Sequence, residues 1–502
     1  MAIGVFSRVR GETTAEEYFI SNRSLRWPQI ALSTVATNIH AGHFLGAAGS
    51  AYLYGLAQAN LEINAVFGIL LAAFVFVPLY LRMRVMTITQ FFEARFGPRV
   101  ATAYSVLTMV LYGFLYLGTT LFWGAYAVNA LFPAQILWLG PDPALRVALM
   151  MVVLGVFSAT YTWLGGLRAV VRTDAVQFVL LVGGGCVLLF VALERLGGWG
   201  ALYEHTDLMH LHLPADHPKL PWTAIGAMLL LNLNYWGSNQ IILQRALAAR
   251  SMRDAQVGLL AAGVLKYVTA LLIVVPAIAL AGLLRDHPLS DPDQAYPTLV
   301  NMLLPAGLRG LVLCGLFASL MSSVDSIFNS VSTLWSVDIY RRRLRPDATD
   351  AQVVAMGRRA IVVTLLAGLL FGFVQVYVKF NDPQFALTHW FNDMSYYIKV
   401  GFVILIVAAV FLVRARPNLV LGMMFAAVGI KLALERILPG VAYFNITALT
   451  ILTGLSVVAA VSWRDHRRLV RGREIWHVED RQVGGFGVLL LLSLVAIQVG
   501  FH

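Results

Sequence analysis

Residues 36–46 read ATNIHAGHFLG and interrupt a stretch that is apolar on both sides. An asparagine, two histidines and two glycines within one membrane-length segment suit neither lipid nor a regular helix. Unwinding at this depth frees backbone carbonyls, and such backbone is tolerated only where it lines a cavity or an ion site. A small cation would supply the missing partner. The alternative is a glycine kink packed against a neighbouring helix.

The composition of the chain is that of an integral membrane protein. Of its 502 residues, 59% are hydrophobic and only 13% are charged, which lies well outside the range of a soluble globular domain. A span needs roughly 20 mostly apolar residues, and about thirteen such segments follow one another along the chain. We predict them at 27–50, 56–81, 101–131, 145–163, 174–194, 222–244, 256–284, 308–340, 360–379, 390–413, 418–434, 442–463 and 484–501. Helical spans exclude an outer-membrane barrel, so the predicted fold is all-α.

The placement of arginines predicts how the chain crosses the membrane. The net charge is +11, and arginines gather in alternate connections, such as the one after span six with Arg245, Arg250 and Arg253. The intervening connections are short, or acidic and histidine-rich. By the positive-inside rule the N-terminus is cytoplasmic and the C-terminus, after an odd number of spans, lies outside, in the plasma (inner) membrane. We therefore attribute the basic charge to the orientation of the chain in the lipid bilayer and not to the binding of a nucleic acid.

A second interruption, NLNYWGSNQ at 232–240, falls in span six, five spans after the first. Five is an odd number, so a repeat of that length would lie upside down relative to the first copy. Paired broken helices in corresponding positions are typical of inverted-repeat transporters that bind their substrate near the membrane midplane. The predicted divisions are a cytoplasmic segment at 1–26, repeat one at 27–194, repeat two at 222–413 and accessory helices at 414–502.

Span eight carries a polar face. In LFASLMSSVDSIFNSVSTLW (316–335), Ser319, Ser322 and Ser323 stand at i, i+3 and i+4 and therefore share one side of a helix. Hydroxyl and carbonyl oxygens without formal charge suit a monovalent cation that must be released in each cycle. The alternative is ordinary packing of membrane helices through small hydroxyl residues.

Ionisable side chains also occur inside the apolar segments, where a charge costs about 3 kcal/mol or more. They are Glu62, Lys266, Asp325 and Lys399, with Asp174 at the start of span five. Glu62 and Lys266 could form a structural ion pair, or they could be opposite walls of a pocket that hydrogen-bonds a polyhydroxy ligand.

Two aromatic residues, Tyr235 and Trp236, stand at the second interruption. Their flat amphipathic faces suit stacking on a sugar or closing a site. The chain has no phosphate-binding loop, so transport would draw on an ion gradient. It also shows no metal or nucleophile constellation, so we do not expect an enzyme.

Several long motifs together resemble the sodium/solute symporter family, and most closely its sodium/glucose cotransporter branch. They are EEYFISNRSLRW, ATNIHAGHFLG, YTWLGGLRAVVRTDAVQ (161–177), YWGSNQIILQRALAARS (235–251) and GLRGLVLCGLFASLMSSVDSIFNSVSTLWSVDIY (307–340). The resemblance runs from about Glu16 to Ile339. It implies the leucine-transporter-like fold, with ten core helices in two inverted five-helix repeats, followed here by three C-terminal helices.

The resemblance also implies two sites. Sodium (Na+) would bind to the carbonyls of Ala36, Ile39 and Ser319 and to the hydroxyls of Ser322 and Ser323. A sugar would bind to Asn38, His43, Glu62, Asn232, Tyr235 and Lys266, with Tyr235 closing the inner side and Trp236 close by.

The tenth span departs from the family pattern. In NDMSYYIKVGFVILIV (392–407), Tyr397 stands roughly where the family's sugar carriers place a glutamine, and no proline follows. Lys399 has no family counterpart and could add a donor to the cavity or pair with an acid. Asp174 and Asp325 could form a second cation site or an exit path, or be satisfied by nearby arginines such as Arg172.

The leading prediction is sodium-coupled symport of a small polar solute, a hexose or a related polyol such as inositol, by alternating access. One alternative is a sodium- or proton-coupled carrier of an amino acid or sialic acid, with His43, Asp174 and Asp325 as a proton relay. A carboxylate substrate would need a cation unopposed by Glu62, which argues against it. A further alternative is a membrane sensor or channel that does not transport.

Overall fold

A computed structural model describes residues 14–39, 43–382, 387–412, 414–463 and 473–501, and these ranges fold into helices without a β-sheet. The N-terminal half contains α1 Ala15–Ile20, α2 Trp27–Asn38, α3 Ala48–Tyr54, α4 Asn60–Ile63, α5 Ala65–Leu71, α6 Val77–Arg82, α7 Ile88–Phe96, α8 Pro98–Met109, α9 Leu117–Leu131, α10 Pro143–Leu196, α11 Ala201–His205 and α12 Ala224–Gly237. The remaining helices are α13 Gln240–Leu247, α14 Met252–Leu283, α15 Ala295–Leu303, α16 Ala306–Thr333, α17 Asp350–Asn381, α18 Leu387–Val410, α19 Pro417–Ile437, α20 Tyr443–Trp463 and α21 Arg481–Gly500.

Short turns of wider or tighter helix join some of these elements. Wider π-type turns occupy His43–Ala47, Ala72–Phe76, Val110–Tyr116 and Leu334–Leu344. Tighter 3-10 turns occupy Ser21–Arg23, Gly55–Ala59, Leu137–Leu139, Pro292–Gln294 and Arg473–Ile475. Single-turn π segments inside membrane helices often mark functional regions.

Eleven helical segments of the described residues are long and apolar enough to cross a membrane. The predicted first and sixth spans fall outside this set because each is broken into pieces shorter than the roughly 20 residues that a crossing requires. The predicted spans four and five lie in one continuous helix, α10, as the stretches Pro143–Leu164 and Val170–Leu196. The chain is a multi-pass membrane protein.

The first interruption lies at the end of α2. This helix ends at Asn38, and Ile39 has extended backbone with φ −91° and ψ 116°. Residues 40–42 lie outside the described ranges, and helical backbone resumes at His43. The last carbonyls of α2 therefore lack the amide partners that a continuing helix would supply.

The second interruption lies between α12 and α13 and consists of Ser238 and Asn239. Asn239 caps α13, since its side-chain oxygen accepts a 3.0 Å hydrogen bond from the amide of Ile241. The carbonyls freed at Gly237 and Ser238 accept hydrogen bonds from the hydroxyls of Tyr80 and Tyr104. The break in span six is therefore stabilised by two buried phenols from neighbouring helices.

Two glycines allow the close approaches that set the broken helices in place. Gly55 has φ +62° and lies very close to the backbone of Leu208. A β-carbon at this position would collide with that backbone. Gly68 on α5 lies against α12, where a β-carbon would stand 2.6 Å from the ring of Trp236. These contacts bring the second span directly against the second broken helix.

The accessory helices border the lipid. On α21, Leu489, Leu492, Val495 and Val499 are all more than half exposed, which is the character of a surface that meets acyl chains. The opposite side of α21 packs on α14 and α5, and α19 and α20 pack on α18. The interior of the bundle, where polar side chains gather, lies between α2, α9, α12, α14, α16 and α18.

Candidate functional site

A cavity of about 880 Å³ lies in the middle of the bundle. Its inner part is bounded by Asn38 at the first break and by Tyr235 and Asn239 at the second. Its other end reaches Lys219, between α11 and α12, and the segment 290–293, between α14 and α15. The volume is typical of small-molecule sites, and both broken helices contribute to its wall.

Three charged or polar side chains form a buried group on this wall, which we call the Lys266 cluster: Asn38, Glu62 and Lys266. The ammonium of Lys266 donates to the carboxylate of Glu62 and to the side-chain oxygen of Asn38. The amide nitrogen of Asn38 in turn donates to the hydroxyl of Tyr235 at 2.6 Å. The structure thus forms the ion pair that was one of the two alternatives for Glu62 and Lys266, and this pair also borders the cavity.

Several polar atoms that border the cavity have no hydrogen-bond partner among the described residues. They are the hydroxyl of Tyr112, the amide nitrogen of Asn234 and the indole nitrogen of Trp236. Asn232 also lines the cavity. A buried donor without a partner costs roughly 1–3 kcal/mol, so a water or polar ligand that reached these atoms would relieve that cost.

One residue of the predicted sugar site does not face the cavity. Tyr397 turns to the accessory helix α19, where its hydroxyl donates to Glu435 at 2.6 Å and its ring lies 4.0 Å from the ammonium of Lys431. Its neighbour Tyr396 faces the cavity, together with Asn392 and Lys399. Tyr396 therefore replaces Tyr397 in the candidate site. The side chain of His43 lies outside the described part of the chain.

The end of α2 meets the polar face of α16 in a second group, which we call the serine cluster: Thr37, Ile39, Ser319, Ser322 and Ser323. The Ser319 hydroxyl donates to the carbonyl of Ile39 at 2.5 Å, and the Ser323 hydroxyl donates to the carbonyl of Thr37 at 3.1 Å. Ala36 is buried one residue before Thr37. The oxygens that meet here are uncharged hydroxyls and backbone carbonyls.

Asp174 adjoins the serine cluster but is already neutralised. Its carboxylate accepts from Ser322 at 2.5 Å and from Ser33, and it lies 3.5 Å from the guanidinium of Arg245. Arg245 is fully buried in α13. This corrects its assignment to a basic connection: the arginine is a partner of Asp174 inside the bundle.

Asp325 belongs to a separate group of hydroxyls. Its carboxylate accepts hydrogen bonds from Ser158 and Tyr161, and from Thr162 at 3.3 Å. These three donors are on α10, and no basic side chain of the described residues lies within ion-pair distance of Asp325. The two aspartates therefore have different partners.

Sequence reasoning missed several residues of the site. Thr37 supplies both a carbonyl and a hydroxyl to the serine cluster, and its hydroxyl lies 2.9 Å from that of Ser326. Its position inside the ATNIHAGHFLG motif was the available signal. Tyr116, whose hydroxyl contacts Lys399 at 2.5 Å, carried no signal because aromatic residues are common throughout these spans.

The profile of the sodium:solute symporter family matches residues 18–426. Over 466 residues the chain is 31% identical to sodium/glucose cotransporter 4 of Mus musculus, which covers 85% of this chain and 66% of that protein. Over 408 residues it is 33% identical to sodium/myo-inositol cotransporter 2 of Mus musculus, which covers 74% of this chain and 59% of that protein. The chain thus spans about two thirds or less of the length of these relatives.

A solved structure of a Na+-coupled sialic acid symporter superimposes with a TM-score of 0.79 over 93% of this chain and 95% of that one, at 18% sequence identity. At this identity the match concerns the fold, and it confirms the leucine-transporter-like architecture. Together with a family profile that covers most of the sequence, it leads to one conclusion: the chain belongs to the sodium:solute symporter family.

Proposed function

We propose that this protein is a sodium-coupled symporter that imports a hexose or a related polyol such as inositol by alternating access. The similarity to sodium/glucose and sodium/myo-inositol cotransporters supports the solute class. The proposal places the protein in the plasma membrane, with the N-terminus in the cytoplasm, the C-terminus outside and the described cavity open to the outside.

The observation that carries the proposal is the meeting of α2 and α16 in the serine cluster. Carbonyls of Thr37 and Ile39 and hydroxyls of Ser319 and Ser323 converge there within hydrogen-bond distance. Oxygens of this kind are the ligands that hard cations prefer, and without a net negative charge they hold a monovalent ion weakly enough to release it. Sodium is here a co-transported substrate.

The solute would bind at the Lys266 cluster. A carboxylate accepts hydrogen bonds from sugar hydroxyls, while an ammonium and an amide donate to them. Glu62, Lys266 and Asn38 offer all three kinds of group on one wall of the cavity. Tyr235, whose hydroxyl accepts a hydrogen bond from Asn38, would close the inner end of this wall.

Coupling follows from the chain order at the first break. Thr37 and Ile39 point carbonyls at α16, and Asn38 between them points its side chain at α12 and α14. Sodium that orders residues 37 and 39 would therefore also fix Asn38 in the geometry that binds the solute. Rocking of α16 away from α2 would dismantle the cation ligands and release sodium inward.

The test is uptake by the purified protein in liposomes. Labelled glucose and myo-inositol are offered under an inward sodium gradient, with potassium as the control and a pH gradient without sodium as a third arm. Accumulation of either solute only with sodium is the expected result. Accumulation driven by the pH gradient alone would identify protons, and not sodium, as the coupling ion. Absence of sodium-driven uptake would refute the proposal.

A further inference from the structure

Lys399 is a cavity residue that the proposed function leaves without a role. It lies on α18, is buried, and borders the same cavity as Lys266. Its ammonium contacts the hydroxyl of Tyr116 at 2.5 Å and stands 5.0 Å from the ring centres of both Tyr116 and Tyr396. Two aromatic faces and one phenol stabilise a cation, but they do not neutralise it.

Three other lysines of this region have carboxylate partners. Lys266 pairs with Glu62, and Lys379 lies 3.3 Å from Asp293 at the other end of the cavity. Lys431, on the neighbouring helix α19, lies 2.6 Å from Asp393 and also pairs with Glu435.

Lys399 differs from all of these. Among the described residues, no carboxylate lies within 4.0 Å of its ammonium, which contacts the aromatic residues Tyr116 and Tyr396. The described lining of the cavity contains four lysines, Lys219, Lys266, Lys379 and Lys399, against three carboxylates, Glu62, Asp291 and Asp293. The described lining therefore contains one more lysine than carboxylates.

A buried ammonium without a counter-charge is unfavourable, and in a membrane protein it marks a substrate or ion pathway. A ligand that brings a negative charge would remove this cost at the moment of binding. We propose that the transported solute carries a carboxylate bound by Lys399, so that it is a polyhydroxy monocarboxylate of the hexuronate type. This inference rests on the proposed sodium-coupled sugar transport and narrows its substrate class.

The rest of the wall fits such a solute. Glu62 would repel a carboxylate if it were unopposed, but Lys266 neutralises it and leaves its oxygens as acceptors for hydroxyls. Near Lys399, the hydroxyl of Tyr112 is buried without a partner among the described residues, and its ring lies 4.9 Å from that of Tyr116. The wall of the cavity thus offers groups that suit hydroxyls and one ammonium that suits an anion.

The experiment compares glucose with glucuronate, two compounds with the same ring that differ at one carboxylate. Binding and sodium-driven uptake of each are measured for the purified full chain and for Lys399→Gln and Lys399→Arg, with myo-inositol as a second neutral solute. The wild-type protein should prefer glucuronate to glucose by about 10- to 100-fold, the factor expected of one charged hydrogen bond. Lys399→Gln should lose that preference with little change for glucose, and Lys399→Arg should retain most of it.

Three outcomes would overturn the inference. If glucose or myo-inositol is taken up with sodium and glucuronate binds no better, the proposed function stands and the anion inference is wrong. If Lys399→Gln weakens glucose and glucuronate equally, Lys399 is a general structural residue and the inference is again wrong. If sodium drives uptake of none of the three, the proposed function falls and this inference with it.

Discussion

The two polar groups at the end of α2 differ in charge, although they are built on consecutive residues. The serine cluster consists of hydroxyls and backbone carbonyls, and the adjacent Asp174 is neutralised by Arg245. The Lys266 cluster carries a full ion pair and borders an open cavity. Neutral oxygens suit a small cation, whereas charged donors and acceptors suit a polar organic solute.

This difference shows how the break at the end of α2 could contribute to the binding of two ligands. Because the backbone of α2 leaves the helical conformation at Ile39, carbonyls that would be used inside a helix become available on one side. The side chain of Asn38 points to the other side. The break at Ile39 thereby connects the proposed cation site with the proposed solute site, and the cavity itself reaches Thr37 and Ser323.

The largest effect is expected from breaking the ion pair of the Lys266 cluster. Lys266→Ala leaves the buried carboxylate of Glu62 without its cation, which should destabilise the protein by about 3–5 kcal/mol and abolish solute binding. The double variant Glu62→Gln/Lys266→Met should regain stability but not binding. Thermal unfolding in detergent and equilibrium binding measure the two effects. Unchanged stability in Lys266→Ala would show that the pair is not buried as described.

The next largest effect is expected from removing one hydroxyl of the serine cluster, compared with a serine on the same helix outside the cluster. Ser323→Ala removes one hydroxyl that faces the carbonyl of Thr37, and it should abolish sodium dependence, weakening sodium binding by at least about tenfold, or 1.4 kcal/mol. Ser330→Ala removes the same atom from the same helix, where the hydroxyl donates to Gln244 at 2.9 Å. This control should keep normal sodium affinity. Sodium-driven uptake at unchanged sodium affinity in Ser323→Ala would contradict the cation site.

A smaller effect tests how the cavity wall is held together. Gly68→Ala places a methyl group against Trp236 and the backbone of Asn232, so overpacking should cost about 1–3 kcal/mol. Gly226→Ala lies on α12 itself, where a β-carbon meets nothing within 4 Å, and should be close to neutral. The midpoints of thermal unfolding compare them. Equal stability of the two variants would mean that α5 and α12 do not approach closely.

The smallest effect concerns a pair outside both clusters. Burial raises the pKa of Glu93, but Arg343 and Arg342 outweigh it and leave this pKa below its usual value. The pair therefore contributes stability above the unfolded-state pKa, and this contribution is lost as the pH falls through the lowered folded-state pKa. Glu93→Gln should cost about 0.5–1 kcal/mol at neutral pH. The difference in stability between Glu93→Gln and the wild type should shrink as the pH falls. A difference that grows in acid would contradict the lowered pKa of Glu93.

The sequence was sufficient for the interruptions, the serine face and the family, because each depends on residue types at fixed spacing. The sequence was insufficient where the role of a residue depends on the direction in which its side chain points. Tyr396 and Tyr397 differ by one position, which turns a side chain by about 100° around a helix, so one faces the cavity and the other faces Glu435. Arg245 was assigned to a connection because charge patterns place arginines at membrane surfaces, while its pairing with Asp174 depends on tertiary packing.

The central claim is that sodium and solute bind to opposite sides of one broken helix and are therefore coupled. The most direct test measures the affinity for the transported solute at saturating sodium and in potassium, and the affinity for sodium with and without the solute. We predict that each ligand tightens the binding of the other by the same factor, in the range of about 5- to 150-fold. Equal solute affinity in sodium and in potassium would contradict it.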